Sequence, residues 1–171
     1  VEKRMEETTS RKKDGKKIHP IQVGCEFAGD TGLLLASREG RESIDRVSKE
    51  WVVRYMKNRG DACAEAATFL LQACGVISMA FSASDIEQSG SDELKNRVEE
   101  CIKDSGLENI LGGRGGKHFK QDYKEMWDKI IRELGKSGTF DMFVVEKIVE
   151  LTIALSTSAV REVRRIATLT V

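Results

Sequence analysis

A single proline, Pro20, occurs among the 171 residues, so almost nothing after it in the chain interrupts helix formation. The stretches with a clear pattern repeat their apolar residues at helical spacing, and none alternates apolar and polar residues as a half-buried strand does. Glycines separate these stretches from one another. The sequence therefore predicts an all-α fold of consecutive helices joined by short glycine turns.

Apolar side chains recur with the period of a helix in the first half of the chain. Residues 41–59 carry one such stripe, which consists of Ile44, Val47, Trp51 and Tyr55. We expect Gly60 to end this helix and Asp61 to cap a second one, which is apolar nearly all round and ends at Gly75. Cys63 and Cys74 fall within this second helix, where free cysteine behaves as a small buried apolar residue. The short apolar segment 31–37 ahead of the two helices is interpreted as a turn.

Five further helices are predicted toward the carboxyl end. They are a short one that starts near Ser84, one capped by Ser91, and others over 117–134, over 140–155 and from Ser158 onward. Gly135 and Gly138 are expected to break the helix over 117–134, whose apolar stripe predicts that Trp127 is buried, as the first stripe does for Trp51. Such a succession of helix pairs is typical of a HEAT-like, armadillo-type α-α superhelical scaffold. A compact helical bundle would show the same pattern, because no clean internal repeat is visible.

The amino-terminal segment differs from the rest of the chain. Residues 1–28 are charged and poorly patterned, which predicts a disordered tail ahead of one helical domain over residues 29–171. The chain begins without methionine and ends inside a helical pattern. We therefore expect it to be a piece of a longer protein.

Composition limits the possible functions. Lys and Arg total 28, as do Asp and Glu, so any basic surface for nucleic acid must be local. The four cysteines form no CxxC pair, which favours a reduced intracellular compartment over a zinc or disulfide framework. No apolar stretch is long enough to span a bilayer, so no membrane partner is expected.

The glycine-rich stretch that starts at Leu111 is the first candidate site. A phosphate-binding Walker loop consists of a glycine, four further residues, and then Gly-Lys followed by Ser or Thr. Aligned on Gly116 and Lys117, this chain has Leu111 in place of the first glycine and His118 in place of the Ser or Thr. No strand is predicted ahead of it, so that motif is excluded. The segment instead delivers Lys117, His118 and Lys120 to a helix start, where anions are attracted. The alternative is a set of solvated charges beside a surface loop.

A second basic cluster lies on the last predicted helix. Arg164 and Arg165 follow Arg161 by three and four residues, so the three arginines share one helix face. Apolar residues of the same helix can face inward. The cluster indicates either a phosphate-binding ridge or an ordinary charged helix face.

Catalytic chemistry has little support in the sequence. His19 and His118 lie beside no evident nucleophile, and no HExxH, GxSxG or DxD motif is present. Neither a metal site nor a cofactor site is indicated. We therefore expect a protein that is not an enzyme.

From about Leu33 to Val171 the sequence resembles the STAG domain of the stromal antigen subunits of cohesin. Four segments carry the resemblance, in this order: REGRESIDRVSKEWVVRY, AATFLLQACG, KHFKQDYKEMWDKIIRE and FDMFVVEKIVELTIALSTSAVREVRRIATLT. The first holds Trp51 and Tyr55 at the aromatic positions of that family. The third opens with two basic residues, phenylalanine and lysine, and the fourth ends in the family's TLT.

The resemblance implies a HEAT-like scaffold without enzymatic activity that serves sister-chromatid cohesion and chromosome segregation in the nucleus, on the chromosome. The implied partners are double-stranded DNA, the cohesin kleisin subunit (mainly through regions beyond this chain) and other core and regulatory cohesin subunits. A helical scaffold that binds only protein partners, without direct DNA contact, is the alternative.

The resemblance also implies which residues contact DNA. The family pattern places phosphates against the basic helix start and against the last basic face, and it adds two positions beside the first helix. Together with the arginine cluster, the expected DNA-binding residues are Arg38, Arg41, Lys117, His118, Lys120, Arg161, Arg164 and Arg165.

Overall fold

The computed structural model describes residues 31–108 and 116–170, and these form eight helices without a strand. They are α1 (Gly32–Glu39), α2 (Arg41–Lys57), α3 (Arg59–Cys74), α4 (Ala83–Gln88), α5 (Ser91–Ser105), α6 (Gly116–Ser137), α7 and α8 (Arg161–Thr170). Helix α7 joins Met142–Val144, a π-helical turn over Val145–Val149, and Glu150–Ser156. The predicted all-α class is confirmed. The predicted tail and the glycines before α6 lie outside the described residues.

Helix α1 corrects the prediction of a turn over residues 31–37. The Thr31 side chain accepts a hydrogen bond from the Leu34 backbone N–H at 3.2 Å and so caps the helix. Leu33 and Leu34 are fully buried, which gives this short helix tertiary support. Gly40, at a φ of +104°, ends it in a backbone conformation that favours glycine.

The junction of α2 and α3 corrects the predicted roles of Gly60 and Asp61. Helix α2 ends at Lys57, and the Asn58 side chain caps α3 by accepting from the Asp61 N–H at 3.3 Å. Gly60 lies inside the first turn of α3, where an added Cβ would stand 3.2 Å from the Ala83 Cβ and closer still to the Glu87 carboxylate. The glycine thus permits close packing of α4 and does not stop a helix.

Helices α6, α7 and α8 are shifted from their predicted bounds. Gly135 was expected to break α6, yet the helix continues to Ser137 and Gly138 ends it at a φ of +67°. Asp141 caps α7 by accepting from the Val144 N–H at 3.3 Å, so α7 starts two residues later than predicted. Helix α8 starts at Arg161 and not at Ser158.

Aromatic side chains connect the central helix α3 to α6. The ring of Phe69 lies 5.2 Å from that of Tyr123 and 5.8 Å from that of Trp127, measured between centroids. Trp51 stacks on Tyr55 at 5.5 Å within α2. Both tryptophans are buried, as the apolar stripes predict. Such aromatic pairs add to the stability that comes from area burial alone.

Two cysteines were expected inside the apolar second helix, and the structure confirms their burial. Cys63 and Cys74 are both inaccessible on α3. Burial raises the pKa of each thiol to about 12. Both therefore behave as small apolar core residues at physiological pH.

Substituting alanine for glycine is expected to have opposite effects at the end of α3 and inside α6. Gly75 has a φ of +92°, and an added Cβ would collide with the backbone carbonyl oxygen of Glu108. Gly75→Ala should therefore lower the free energy of unfolding by at least about 1–2 kcal/mol. Gly135 faces open space, so Gly135→Ala should raise it by about 0.5–1 kcal/mol. Urea denaturation measures both, and shifts of the same sign would contradict this account.

Candidate nucleic-acid interface

Two arginines of α8 project into solvent from a helix whose other side is buried. Arg161 and Arg165 are exposed and lie one turn apart, while Val163, Ile166 and Ala167 face the core. Within the described part of the chain, neither arginine has an ion-pair or hydrogen-bond partner. Guanidinium groups bind phosphate oxygens in a bidentate geometry. This pair is therefore free to receive a phosphate.

Arg164 lies between these two arginines in the sequence but has a different environment. Its Nη1 donates to the backbone carbonyl oxygens of Ser158 and Ala159, the second at 3.0 Å. These acceptors belong to the turn that connects α7 and α8. The Nη1 atom of the guanidinium is thus already hydrogen-bonded within the protein. DNA contact by Arg164 stays a prediction.

The beginning of α6 presents part of the predicted basic helix start. His118 is exposed and Lys120 half-buried, and Phe119 between them is packed into the core. The side chain of Lys117 and the glycines before α6 lie outside the described residues. Lys124 is exposed one turn beyond Lys120, without an ion pair among the described residues, and was not among the predicted contacts. The four-residue spacing from Lys120 is the signal that indicates it.

The predicted basic positions beside the first helix differ in their environment. Arg41 Nε forms an ion pair with Glu125 Oε1 of α6 at 2.7 Å. The hydrogen bond to that carboxylate raises the pKa of Arg41. Arg38 is exposed in the last turn of α1. A phosphate that approached Arg41 would have to share its guanidinium with Glu125.

Helix α6 connects the elements that carry these basic residues. It packs against α1, α2 and α8. The Tyr123 hydroxyl lies 2.6 Å from Thr170 Oγ1, which joins α6 to the end of α8. Lys120 is one turn before Tyr123, and Arg165 is five residues before Thr170. The structure therefore places one predicted basic group on α6 and the other two on helices that pack against it.

The rest of the described surface includes a small apolar groove. The described residues include no group of three His, Cys, Asp or Glu side chains that could hold a metal ion. The groove between α6 and α7 is lined by the exposed side chains of Ile131, Phe140 and Val149. Its cavity volume of about 170 Å³ is below the roughly 300–1,000 Å³ of small-molecule sites. None of the described helices combines the length and the apolar character needed to cross a bilayer.

The chain is similar to cohesin proteins. The STAG domain family matches residues 109–171, a segment that contains both the α6 start and α8. Sister-chromatid cohesion protein 3 of Arabidopsis thaliana is 27% identical over 141 residues, which are 80% of this chain and 13% of that protein. Cohesin subunit SA-3 of Mus musculus is 26% identical over 161 residues, 93% of this chain and 13% of that protein.

A third relative extends the same similarity. Cohesin subunit SA-1 of Xenopus laevis is 25% identical over 165 residues, which are 95% of this chain and 13% of that protein. This chain thus spans about an eighth of the length of the curated relatives it matches. The predicted resemblance is confirmed: residues 109–171 match the STAG domain family, and most of the chain is similar to the cohesin SA subunits.

Proposed function

We propose that this chain is a segment of a non-enzymatic cohesin subunit that acts in sister-chromatid cohesion and chromosome segregation. The support is the similarity to proteins named for cohesin and for sister-chromatid cohesion. We further propose that the segment binds DNA phosphates without reading the base sequence.

The observation that carries DNA binding is the pair formed by Arg161 and Arg165. Both are exposed on a helix that the buried Val163 and Ile166 hold in place, and no acid within the described residues neutralises them. Phosphate contacts of this kind position a protein on DNA but carry no base information. The pair therefore supports binding that does not depend on sequence.

Other basic residues extend the proposed interface around α6. Lys117, His118, Lys120 and Lys124 belong to the first half of that helix. Arg38 and Arg41 lie on helices that pack against it, and we assign Arg41 a weaker contact because it already pairs with Glu125. Arg164 is placed at the edge of the interface, since its Nη1 is held by backbone carbonyls.

The proposed partners and location follow from the same relatives. We assign the protein to the nucleus and the chromosome, with double-stranded DNA as the partner of this segment. The cohesin kleisin subunit would bind mainly outside the segment, and other core and regulatory subunits complete the assembly. No hydrolysis of ATP or GTP is expected.

Binding of duplex DNA to this chain is expected to weaken steeply as salt is added, because phosphate contacts release condensed counterions. Two duplexes of equal length and unrelated sequence should bind with the same affinity, since the contacts are to phosphates. Fluorescence anisotropy titrations at several salt concentrations measure both effects.

Two results would contradict this proposal. Binding that does not change with salt would exclude a phosphate-dominated interface, and a clear preference for one duplex would require base contacts. A lack of binding even at low salt would favour the alternative, a helical scaffold that binds protein partners without touching DNA.

A further inference from the structure

The turn between α7 and α8 is held by a carboxylate from another helix. Glu99 of α5 accepts two hydrogen bonds on Oε1, from the Ser158 hydroxyl at 2.7 Å and from the Ala159 backbone N–H at 2.9 Å. Ser158 is buried, and its Oγ accepts in turn from the Val160 N–H at 3.1 Å. Because the acceptor is ionised, these hydrogen bonds are stronger than those between neutral groups.

The same turn is also held by a cation. Arg164 donates from Nη1 to the carbonyl oxygens of Ser158 and Ala159. The Ser158 hydroxyl and the Ala159 N–H therefore donate to the Glu99 carboxylate, and the carbonyl oxygens of both residues accept from the Arg164 guanidinium. Ser158 and Ala159 lie between the two helices, so the two charged side chains supply hydrogen-bond partners that these groups do not find in a helix.

The position of this turn determines where the exposed arginines point. Arg161 is the first residue of α8 and follows Ala159 by two residues, and Arg165 follows Arg161 by one turn. A shift of the turn would rotate or fray the start of α8. The bidentate contact of guanidinium with phosphate depends on orientation, so such a shift weakens it.

We propose that Glu99 and Arg164 are positioning residues that hold Arg161 and Arg165 in the orientation that receives DNA phosphates. This inference rests on the proposed DNA-binding function. It assigns to an acidic residue a favourable effect on the binding of a polyanion. It also gives Arg164 a role within the protein that differs from that of its two neighbours on α8.

The sign of one substitution tests the proposal. Glu99→Ala removes a negative charge, so simple electrostatics predicts tighter DNA binding. A positioning role predicts the opposite, and we expect the affinity to fall by about threefold or more, because two charge-assisted hydrogen bonds are lost. Glu99→Gln keeps an acceptor oxygen at the same place and should restore most of the affinity.

Glu100→Ala is the matched control. Glu100 is the exposed neighbour of Glu99, with no ion pair or hydrogen bond among the described residues, and its loss changes the net charge by the same amount. This variant should bind DNA as well as the parent or slightly tighter. Equal or tighter binding by Glu99→Ala would overturn the positioning role.

A measurement without DNA separates this proposal from the proposed function. Hydrogen exchange of the Ala159 and Val160 amides should be faster in Glu99→Ala than in the parent, and unchanged in Glu100→Ala. Unchanged exchange in Glu99→Ala would overturn the inference even if DNA binding is real. If charge reversal of Arg161 and Arg165 leaves DNA binding intact, the proposed function fails, and the positioning of a phosphate site fails with it.

Discussion

Replacing Arg161 and Arg165 together by glutamate is expected to weaken duplex DNA binding more than replacing Lys117 and Lys120 together. The arginines lie on a helix with a packed apolar side, so little conformational entropy is lost when they meet phosphate. Four glycines precede the α6 lysines within six residues of sequence. Ordering backbone costs about 1–2 kcal/mol per residue, and glycine loses more freedom than any other residue.

The measurement is an anisotropy titration at one fixed salt concentration, on a duplex of about one helical turn or longer. Loss of two phosphate contacts should also make the log–log dependence of affinity on salt shallower by about two units. Both variants should keep the helical far-UV circular dichroism spectrum of the parent, because Arg161 and Arg165 are exposed and Lys120 is only half-buried.

A charge-matched control separates a local site from a general effect of net charge. Arg46 and Arg132 are exposed and already paired with Glu50 and Asp128 on their own helices. Reversing both to glutamate changes the net charge as much as the α8 variant does, and should reduce affinity less. Equal affinity of the α8 variant and the parent would show that this face has no part in DNA binding and would favour the protein-only scaffold.

Phe69→Ala is expected to produce the largest loss of stability, about 3–5 kcal/mol in the free energy of unfolding. Phe69 is fully buried on α3, and its ring contacts both Tyr123 and Trp127 of α6. Removing the ring leaves a cavity at the contact between two central helices. Urea denaturation followed by far-UV circular dichroism measures the change.

Phe140→Ala is the matched control for this core substitution. It removes the same side chain from a position that is 47% exposed, at the rim of the groove between α6 and α7. The expected change is within roughly 0.5 kcal/mol, as for other surface substitutions. Similar denaturation midpoints for the two alanine variants would show that the Phe69 cluster is not the core contact described above.

Comparison of the predicted and observed helix bounds shows where the local sequence pattern was sufficient to predict a helix and where it was not. The stripe through Trp51 and Tyr55 correctly predicted α2, because helical period is a property of neighbouring residues. Gly60 and Gly135 were both predicted to break helices, and both lie inside them. Glycine carries no local signal that distinguishes a helix end from a place where another element packs closely. At position 60, it is the close approach of α4 that requires a glycine.

The sequence by itself determined the all-α class, the burial of both tryptophans and the resemblance to the STAG domain. These depend on composition, spacing and order along the chain. It also placed Arg161, Arg164 and Arg165 on one helix face but could not distinguish among them. Only the tertiary structure separated Arg164, held by backbone carbonyls, from its two exposed neighbours. Glu99 reaches the same turn from 59 residues away, and a partnership across that distance depends on packing that no local pattern records.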